Sequence, residues 1–151
     1  MMTHSRRFIL AAGASALALG ACQEAAAPVL SLRADASPGM NPGPDGADRP
    51  VTVTVLQMSG ASNFDSADVF ALQNASAAVG AELVKADQIV LAPGVSVSRD
   101  IAIAPGTTVI GVTAGFRDPA GKVLRRKVPA PGADSGLVIS VGPGGISLVM
   151  T

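Results

Sequence analysis

Proline–glycine pairs recur in the second half of the chain, at positions 93, 105, 131 and 143. Pro at the second position and Gly at the third satisfy the backbone angles of a type II turn. The runs between these turns are short and apolar, and in several of them every second residue is hydrophobic, as in Leu137, Ile139 and Val141. Strands that end at about twelve-residue spacings and bury one side indicate an all-β sandwich or barrel.

Two further strands are predicted in the first half of the chain. The run 29–34 follows Pro28, which suits the first position of a strand. The run 51–55 alternates Val with Thr, after which Leu56 and Met58 move the apolar positions to the opposite parity. A bulge or a strand end near Val55 or Leu56 is expected from that change. The last two runs are separated by Gly and Pro at 142–145 and predict a closing hairpin.

A short helical insertion is predicted at about 63–72. Ser62 and Asp65 have the spacing of a capping box. The apolar residues that follow have the spacing of one helical face, namely Phe64, Ala67, Phe70 and Ala71. Asp65 and Asp68 could form a catalytic carboxylate pair, but acids in a first turn ordinarily complement the helix dipole.

The segment 35–50 is rich in Pro, Gly and Asp and includes Pro-Gly pairs at 38–39 and 42–43. It predicts a long exposed loop, because such a composition suits neither a helix nor a central strand. Loops of this length are either functional or disordered. Its place between two strands favours a functional loop over a floppy linker. A basic cluster at 125–127 is either a partner site or the charged edge of a sheet.

The amino terminus has the features of a bacterial lipoprotein signal. The apolar run 8–21 follows Arg6 and Arg7, is too short to span a bilayer stably, and ends in Leu19-Gly20-Ala21-Cys22. We therefore expect residues 1–21 to be removed, Cys22 to be acylated, 22–28 to be a lipidated tether and 29–151 to form one domain. An ordinary cleavage site is the alternative, and export by either the Sec or the Tat route fits. Gln23, where Asp would retain the protein at the inner membrane, indicates the periplasmic face of the outer membrane.

Composition excludes several classes of function. After Cys22 the chain has nine Lys or Arg and eleven Asp or Glu, with few aromatic residues, so no nucleic-acid partner is expected. The only histidine, His4, lies in the predicted signal, and the only cysteine is the predicted lipid attachment site. Imidazole and thiolate chemistry are then unavailable for catalysis or metal binding. We expect no enzyme, no metal and no cofactor beyond the covalent lipid on Cys22.

The order of these features resembles the outer-membrane lipoprotein family of the type VI secretion system, TssJ, also called VasD or SciN. The residues that resemble this family are Cys22, Asn41-Pro42, 49–58, 64–72, 91–94, 104–107, Gly111 and 116–118.

The resemblance implies a transthyretin-like, two-sheet β-sandwich that binds the periplasmic C-terminal domain of the inner-membrane protein TssM and, indirectly, other subunits of the membrane complex. It also implies that the loop between the first two strands contributes to that contact. The partner-binding candidates are then Ser37, Pro38, Gly39, Met40, Asn41, Pro42, Gly43, Pro44, Asp45, Gly46 and Asp48. The alternative is a lipid-anchored β-sandwich carrier or inhibitor that binds a small ligand or an envelope enzyme.

Overall fold

The computed structural model describes residues 25–151, which form two four-stranded β-sheets packed face to face. The strands are β1 (Val29–Ala36), β2 (Val51–Met58), β3 (Leu83–Leu91), β4 (Ser96–Ala102), β5 (Val109–Ala114), β6 (Arg125–Pro129), β7 (Ser135–Gly142) and β8 (Gly145–Met150). The first sheet has the order β4-β1-β7-β8 and the second has the order β3-β2-β5-β6. The predicted β-sandwich and its closing β7–β8 hairpin are confirmed. No helix within 25–151 has the length and apolarity needed to cross a membrane.

Alternating residues of the central strands face the space between the sheets. In β1, Leu30, Leu32 and Ala34 point inward and are almost completely buried. They meet the inward side chains of β2 and β5, among which Val53 and Val112 are fully buried. β1 and β7 run parallel, while every other pair of neighbouring strands is antiparallel. Apolar burial between two alternating faces is the main stabilisation of such a sandwich.

The helical insertion is longer and more broken than predicted. It comprises α1 (Ser62–Ser66), a 3₁₀ turn (Ala71–Asn74), α2 (Ala75–Val79) and a second 3₁₀ turn (Gly80–Glu82). The single helix predicted at about 63–72 is therefore wrong in its extent, although a short helical insertion is confirmed. The predicted capping box is also wrong, because the Glu82 carboxylate accepts the N–H bonds of Ser62 at 3.3 Å and Asn63 at 2.7 Å.

The insertion covers the outer face of the second sheet and forms a smaller core there. Leu56 and Met58 point outward from β2 and pack with Phe64, which is 1 % exposed. Gly111 makes this packing fit, since a Cβ at that position would lie 2.7 Å from Met58 Cε and 2.9 Å from Phe64 Cε2. The apolar positions of β2 change parity because both faces of this strand are buried, one against the first sheet and the other against the insertion. The predicted bulge at Val55 or Leu56 is wrong, and the register shift with β3 comes later, between Gln57 and Met58.

Strand β6 holds the insertion in place with two of its basic residues. The Arg125 guanidinium donates to the carbonyl oxygens of Phe64, at 2.9 Å, and Ala67. The Lys127 ammonium group pairs with the Asp65 carboxylate. The basic cluster thus lies on an edge strand of the second sheet, in agreement with the interpretation of 125–127 as the charged edge of a sheet. It also anchors α1.

The strand directions define two opposite ends of the sandwich. What we call the amino-terminal end comprises residues 25–28, 103–108 and 130–134, where β1 and β7 begin and β4 and β6 finish. The loop end comprises residues 37–50, 92–95, 115–124 and 142–145. β1 joins the two ends with eight residues, which span about 25 Å.

Candidate functional site

The predicted loop begins two residues later than the sequence indicated. β1 continues through Asp35 to Ala36, and the loop proper is 37–50. Asp35 belongs to the strand, where its carboxylate accepts from the Ser96 hydroxyl at 2.5 Å and from Arg33 at 2.9 Å. These two hydrogen bonds, with the Ser96 hydroxyl having the larger effect, lower the pKa of Asp35. The loop starts where the Ser37 N–H donates to the Val141 carbonyl at 2.8 Å.

The carboxylate of Asp48 organises the first half of the loop. Its Oδ2 accepts from the Gly39 N–H at 2.6 Å, and its Oδ1 accepts from the Asn41 N–H at 2.7 Å. Gly39 has φ +79°, a conformation that a residue with a Cβ rarely adopts. Burial alone would raise the pKa of Asp48, but the N–H groups of Asn41, Gly39, Met40 and Arg49 outweigh it and lower the pKa. The carboxylate is therefore ionised and fixes a tight turn.

The side chain of Asn41 fastens the loop to the body of the protein. Its Nδ2 donates to the Pro50 carbonyl at 3.1 Å, and its Oδ1 accepts from the Arg117 N–H at 2.8 Å. Asn41 is only 4 % exposed, and its neighbour Met40 is fully buried. A buried amide with both ends bonded holds two segments that are 76 residues apart in sequence.

A lysine supports the same loop from the opposite side. The Lys122 ammonium group donates to the Pro143 carbonyl at 2.7 Å and to the Met40 carbonyl at 3.4 Å. It also lies 5.1 Å from the centre of the Phe116 ring, within the range of a cation–π interaction. The segment 37–50, the segment 116–122 and the β7–β8 turn consequently form one connected surface.

The tip of the loop is a small closed turn. The Gly43 N–H donates to the Ala47 carbonyl at 2.7 Å, and the Gly46 N–H donates back to the Gly43 carbonyl at 3.0 Å. Asp45 and Arg49 form an exposed ion pair at 3.1 Å. Such a pair adds little stability, but it places one charge of each sign on the tip.

The structure divides the partner-binding candidates into two groups. The exposed ones are Ser37, Pro38, Gly39, Pro42, Pro44, Asp45 and Gly46, with Asp48 partly exposed. Met40, Asn41 and Gly43 are buried and shape the loop from inside. The segment is an ordered, internally bonded loop, which argues against the floppy linker, and the partner contact stays a prediction. The apolar Met40 inside a polar segment was the one sequence signal of this packing.

The amino-terminal end contains a second buried amide. Gln57 is 1 % exposed, and its Nε2 donates to the Ala102 carbonyl at 3.0 Å. Its Oε1 accepts from the Ala104 N–H at 2.7 Å and from the Thr107 hydroxyl at 3.1 Å. The Ile103 N–H donates to the Pro28 carbonyl at 2.8 Å, which connects this turn to the start of the domain. Sequence reasoning missed Gln57, whose polarity in an apolar strand was the available signal.

The carboxylates considered for catalysis have structural partners. Asp65 pairs with Lys127, and Asp68 Oδ1 accepts from the Ala71 N–H at 2.8 Å. Within residues 25–151 no group of three or more His, Cys, Asp or Glu residues is placed to hold a metal ion. The predicted signal 1–21 and the predicted lipid attachment site Cys22 lie outside the described residues.

Comparison with known proteins identifies the family. The family model described as type VI secretion lipoprotein, VasD, EvfM, TssJ, matches residues 28–143. The chain belongs to this family of type VI secretion lipoproteins, as the resemblance in sequence indicated. No curated protein matches it in sequence.

Solved structures agree with the family assignment. The type VI lipoprotein TssJ1 from Pseudomonas aeruginosa is 27 % identical, with a TM-score of 0.74 over 83 % of this chain and 97 % of that one. A chain of a structure described as the type VI membrane complex is 25 % identical, with a TM-score of 0.72 over 82 % and 98 % of the two chains. A chain of a structure described as the TssM C-terminal domain from EAEC is 25 % identical, with a TM-score of 0.66 over 80 % and 97 %.

Proposed function

We propose that this chain is an outer-membrane lipoprotein that tethers the periplasmic C-terminal domain of TssM and so helps to assemble the trans-envelope complex of the type VI secretion system. The observation that carries the proposal is that a structure described as the TssM C-terminal domain contains a chain with the fold of this protein, matched over 97 % of that chain's length. The match to a chain of the type VI membrane complex supports the same partner and, indirectly, the other subunits.

The anchor in this proposal is Cys22. Residues 1–21 would be removed, and the lipidated tether 22–28 would lead directly into β1 of the domain 29–151. Several acyl chains on one cysteine give stable anchoring, whereas a single chain binds only reversibly. Gln23 after the cysteine supports the periplasmic face of the outer membrane as the destination.

The contact with TssM is assigned to the exposed side of the 37–50 loop. This loop lies at the opposite end of the sandwich from the tether, so it faces away from the outer membrane and toward a partner rooted in the inner membrane. Its hydrogen bonds to Asp48 and Asn41 form within the unbound chain. A loop that is already ordered loses less conformational entropy on docking.

The protein acts in this proposal by binding, without catalysis and without a cofactor other than the covalent lipid. The sequence after Cys22 contains no histidine, and its acids at Asp65 and Asp68 are engaged in ion pairing and hydrogen bonding. The function therefore requires only a stable surface at a fixed distance from the membrane.

The partner contact is tested by replacing the exposed tip 44–47 with Gly-Ser-Gly-Ser in the mature protein. This change leaves Met40, Asn41 and Asp48 in place, so the loop base should keep its structure. We expect at least about tenfold weaker binding of the TssM C-terminal domain, or about 1.4 kcal/mol, with little change in melting temperature. The matched control replaces the turn 92–95 at the same end in the same way. Unchanged affinity in the tip variant would assign the contact to another surface.

The anchor is tested by Cys22→Ser in the full-length precursor. We expect the variant domain to fold and to bind the TssM domain in solution, but to leave the outer-membrane fraction and to abolish secretion. Ser31→Ala, an exposed substitution, is the control. Recovery of the Cys22→Ser protein in outer membranes at the wild-type level would contradict acylation at this residue.

A further inference from the structure

The amino-terminal end of the sandwich presents a cleft that no charged side chain lines. Residues 25–28, 103–107 and 131–132 line a shallow cleft of about 420 Å³ there, and all of them are Ala, Pro, Gly, Thr or Ile. The chain carries no Asp, Glu, Lys or Arg from 25 to 32, from 101 to 116 or from 128 to 133. This end therefore differs from the loop end, where Asp45, Arg49 and Arg117 are exposed.

Two carboxylates at this end of the sheets accept hydrogen bonds from backbone N–H groups. Asp134 accepts from the Val29 N–H at 2.8 Å, and Glu82 accepts from the first N–H groups of α1. Part of the backbone of the cleft is bonded within the protein, since the Ile103 N–H donates to the Pro28 carbonyl and the Thr107 N–H donates to the Ala104 carbonyl. Covering the cleft would therefore bury no charged side chain, which is the costliest kind of group to remove from water.

The proposed lipid on Cys22 places the bilayer close to the cleft. Ala25 is the third residue after Cys22, so the acylated sulfur and the cleft are separated by at most about 10 Å of chain. Only Glu24 is charged within that tether. The loop end is farther from the tether by the length of β1, about 25 Å, and cannot reach the same layer.

We propose that the amino-terminal end is a membrane-contact surface that rests on the phospholipid headgroups of the bilayer in which Cys22 is anchored. Gln57 keeps the 102–107 turn in shape, so the contact is made by a preformed surface. Two attachments, the acyl chains and this surface, orient the domain and direct the 37–50 loop into the periplasm. The proposal rests on the acylation of Cys22 that the proposed function includes.

The test uses the absence of any cysteine besides Cys22, because one added cysteine can then be labelled alone in the acylated protein. Gly132→Cys places an environment-sensitive fluorophore in the cleft, where added side-chain atoms meet open space. Ala47→Cys places the same fluorophore at the loop end. Each acylated protein is reconstituted in vesicles of phosphatidylethanolamine and phosphatidylglycerol, some of which carry a headgroup nitroxide quencher. We expect the Gly132 label to be quenched several-fold more strongly than the Ala47 label.

A charge variant gives an independent readout. Pro105→Glu with Ala133→Glu adds two carboxylates to the surface, and we expect a several-fold loss of quenching at the Gly132 label in anionic vesicles. Ser98→Glu with Ser147→Glu adds the same charge to the outer face of the first sheet and should leave quenching unchanged. Circular dichroism spectra of both variants should match that of the protein without these changes if both are folded.

The outcomes separate this proposal from the one on which it rests. If the protein fails to float with the vesicles, acylation and anchoring are wrong. If it floats but the variant with Pro105→Glu and Ala133→Glu is quenched as strongly as the protein without these changes, the membrane-contact surface is wrong and the tether alone keeps the Gly132 label near the bilayer. If the Gly132 label responds to the TssM domain and not to lipid, the surface binds the protein partner and the proposal is likewise overturned.

Discussion

The two ends of the sandwich are fixed by the same device, a single buried amide side chain. At the amino-terminal end, Gln57 bonds the turn that follows β4. At the loop end, Asn41 bonds the 37–50 loop to the segment after β5. An amide can satisfy both a donor and an acceptor of the backbone without burying a charge, so it fixes irregular chain at low cost.

The surfaces that these amides support are chemically different. The amino-terminal end is uncharged around its cleft, whereas the loop end adds the Asp48 carboxylate, the Lys122 ammonium group and the Asp45–Arg49 pair. Buried side chains therefore determine where the loops lie, and exposed side chains determine what the loops contact. An uncharged cleft suits contact with a lipid headgroup layer, and a charged, ordered loop suits a protein partner.

Gln57→Ala is expected to have the largest effect on the amino-terminal end. The substitution leaves the Ala104 N–H and the Ala102 carbonyl without their partner and opens a cavity in β2. We expect a loss of about 2 to 4 kcal/mol in the free energy of unfolding, measured by urea denaturation. Gln73→Ala, which truncates an exposed glutamine, is the matched control and should change the stability little. A Gln57→Ala protein as stable as the control would show that this amide does not hold the amino-terminal end.

Asn41→Ala is expected to cost less stability and to act on function at the other end. It leaves the Arg117 N–H and the Pro50 carbonyl unbonded, at a cost of about 1 to 3 kcal/mol. The loosened loop must then be ordered again on docking, so affinity for the TssM domain should fall at temperatures where the protein stays folded. Gln57→Ala serves as the control here, because it should lower stability without changing that affinity. Equal affinity losses in both variants would remove the functional distinction between the two ends.

The Asp48 carboxylate should make the loop end sensitive to acid. Because its pKa in the folded state lies below the ordinary value of 3.8, its stabilisation is complete well above that value. The stabilisation is lost as the pH falls through the lowered folded-state pKa. We expect the NMR amide shifts of Gly39 and Asn41 to stay constant at neutral pH and to move only below about pH 4.

Asp48→Asn tests the origin of that acid response. The substitution should abolish the acid-induced changes in the NMR amide shifts of Gly39 and Asn41. The amide signals of the amino-terminal end should stay unchanged. Asp45→Asn, at the tip of the same loop, should leave the acid response intact because its carboxylate does not bond those amides. Acid-induced shifts that persist in Asp48→Asn would assign the response to another group.

Local patterns were sufficient for most of the sandwich. The alternation in β7 and β8 predicted strands that the structure contains, and the Pro-Gly pairs at 93, 105 and 143 predicted chain reversals. The expected type II geometry fits Gly94 and Gly106, which have positive φ, but is wrong at 131 and 143, because Gly132 and Gly144 do not. Each of these features depends on residues that are close in sequence. The existence of the 37–50 loop could be predicted for the same reason, since Pro and Gly exclude regular structure locally.

Contacts between distant segments could not be predicted in this way. The compactness of the loop depends on the hydrogen bond from the Arg117 N–H to the Asn41 side chain. The position of the helical insertion depends on the packing of Phe64 against Gly111. Neither pairing leaves a periodic signal in the sequence. The parity change at Leu56 was visible but was interpreted as a bulge, because a second buried face requires knowing that the insertion folds back over β2.

Phe70→Ser is expected to change stability least, and it tests how far the partner surface extends from the loop end. Phe70 lies in the helical insertion between α1 and the first 3₁₀ turn, and 81 % of its surface is exposed. Because little apolar area is buried there, its removal should change the free energy of unfolding by less than about 0.5 kcal/mol. Phe64→Ala, which truncates the buried phenylalanine of the same insertion, should in contrast cost about 3 to 5 kcal/mol. If Phe70→Ser weakens binding of the TssM domain without changing stability, the partner surface extends from the 37–50 loop onto the insertion. If the affinity is unchanged, that surface ends at the segment 115–124, beside the loop.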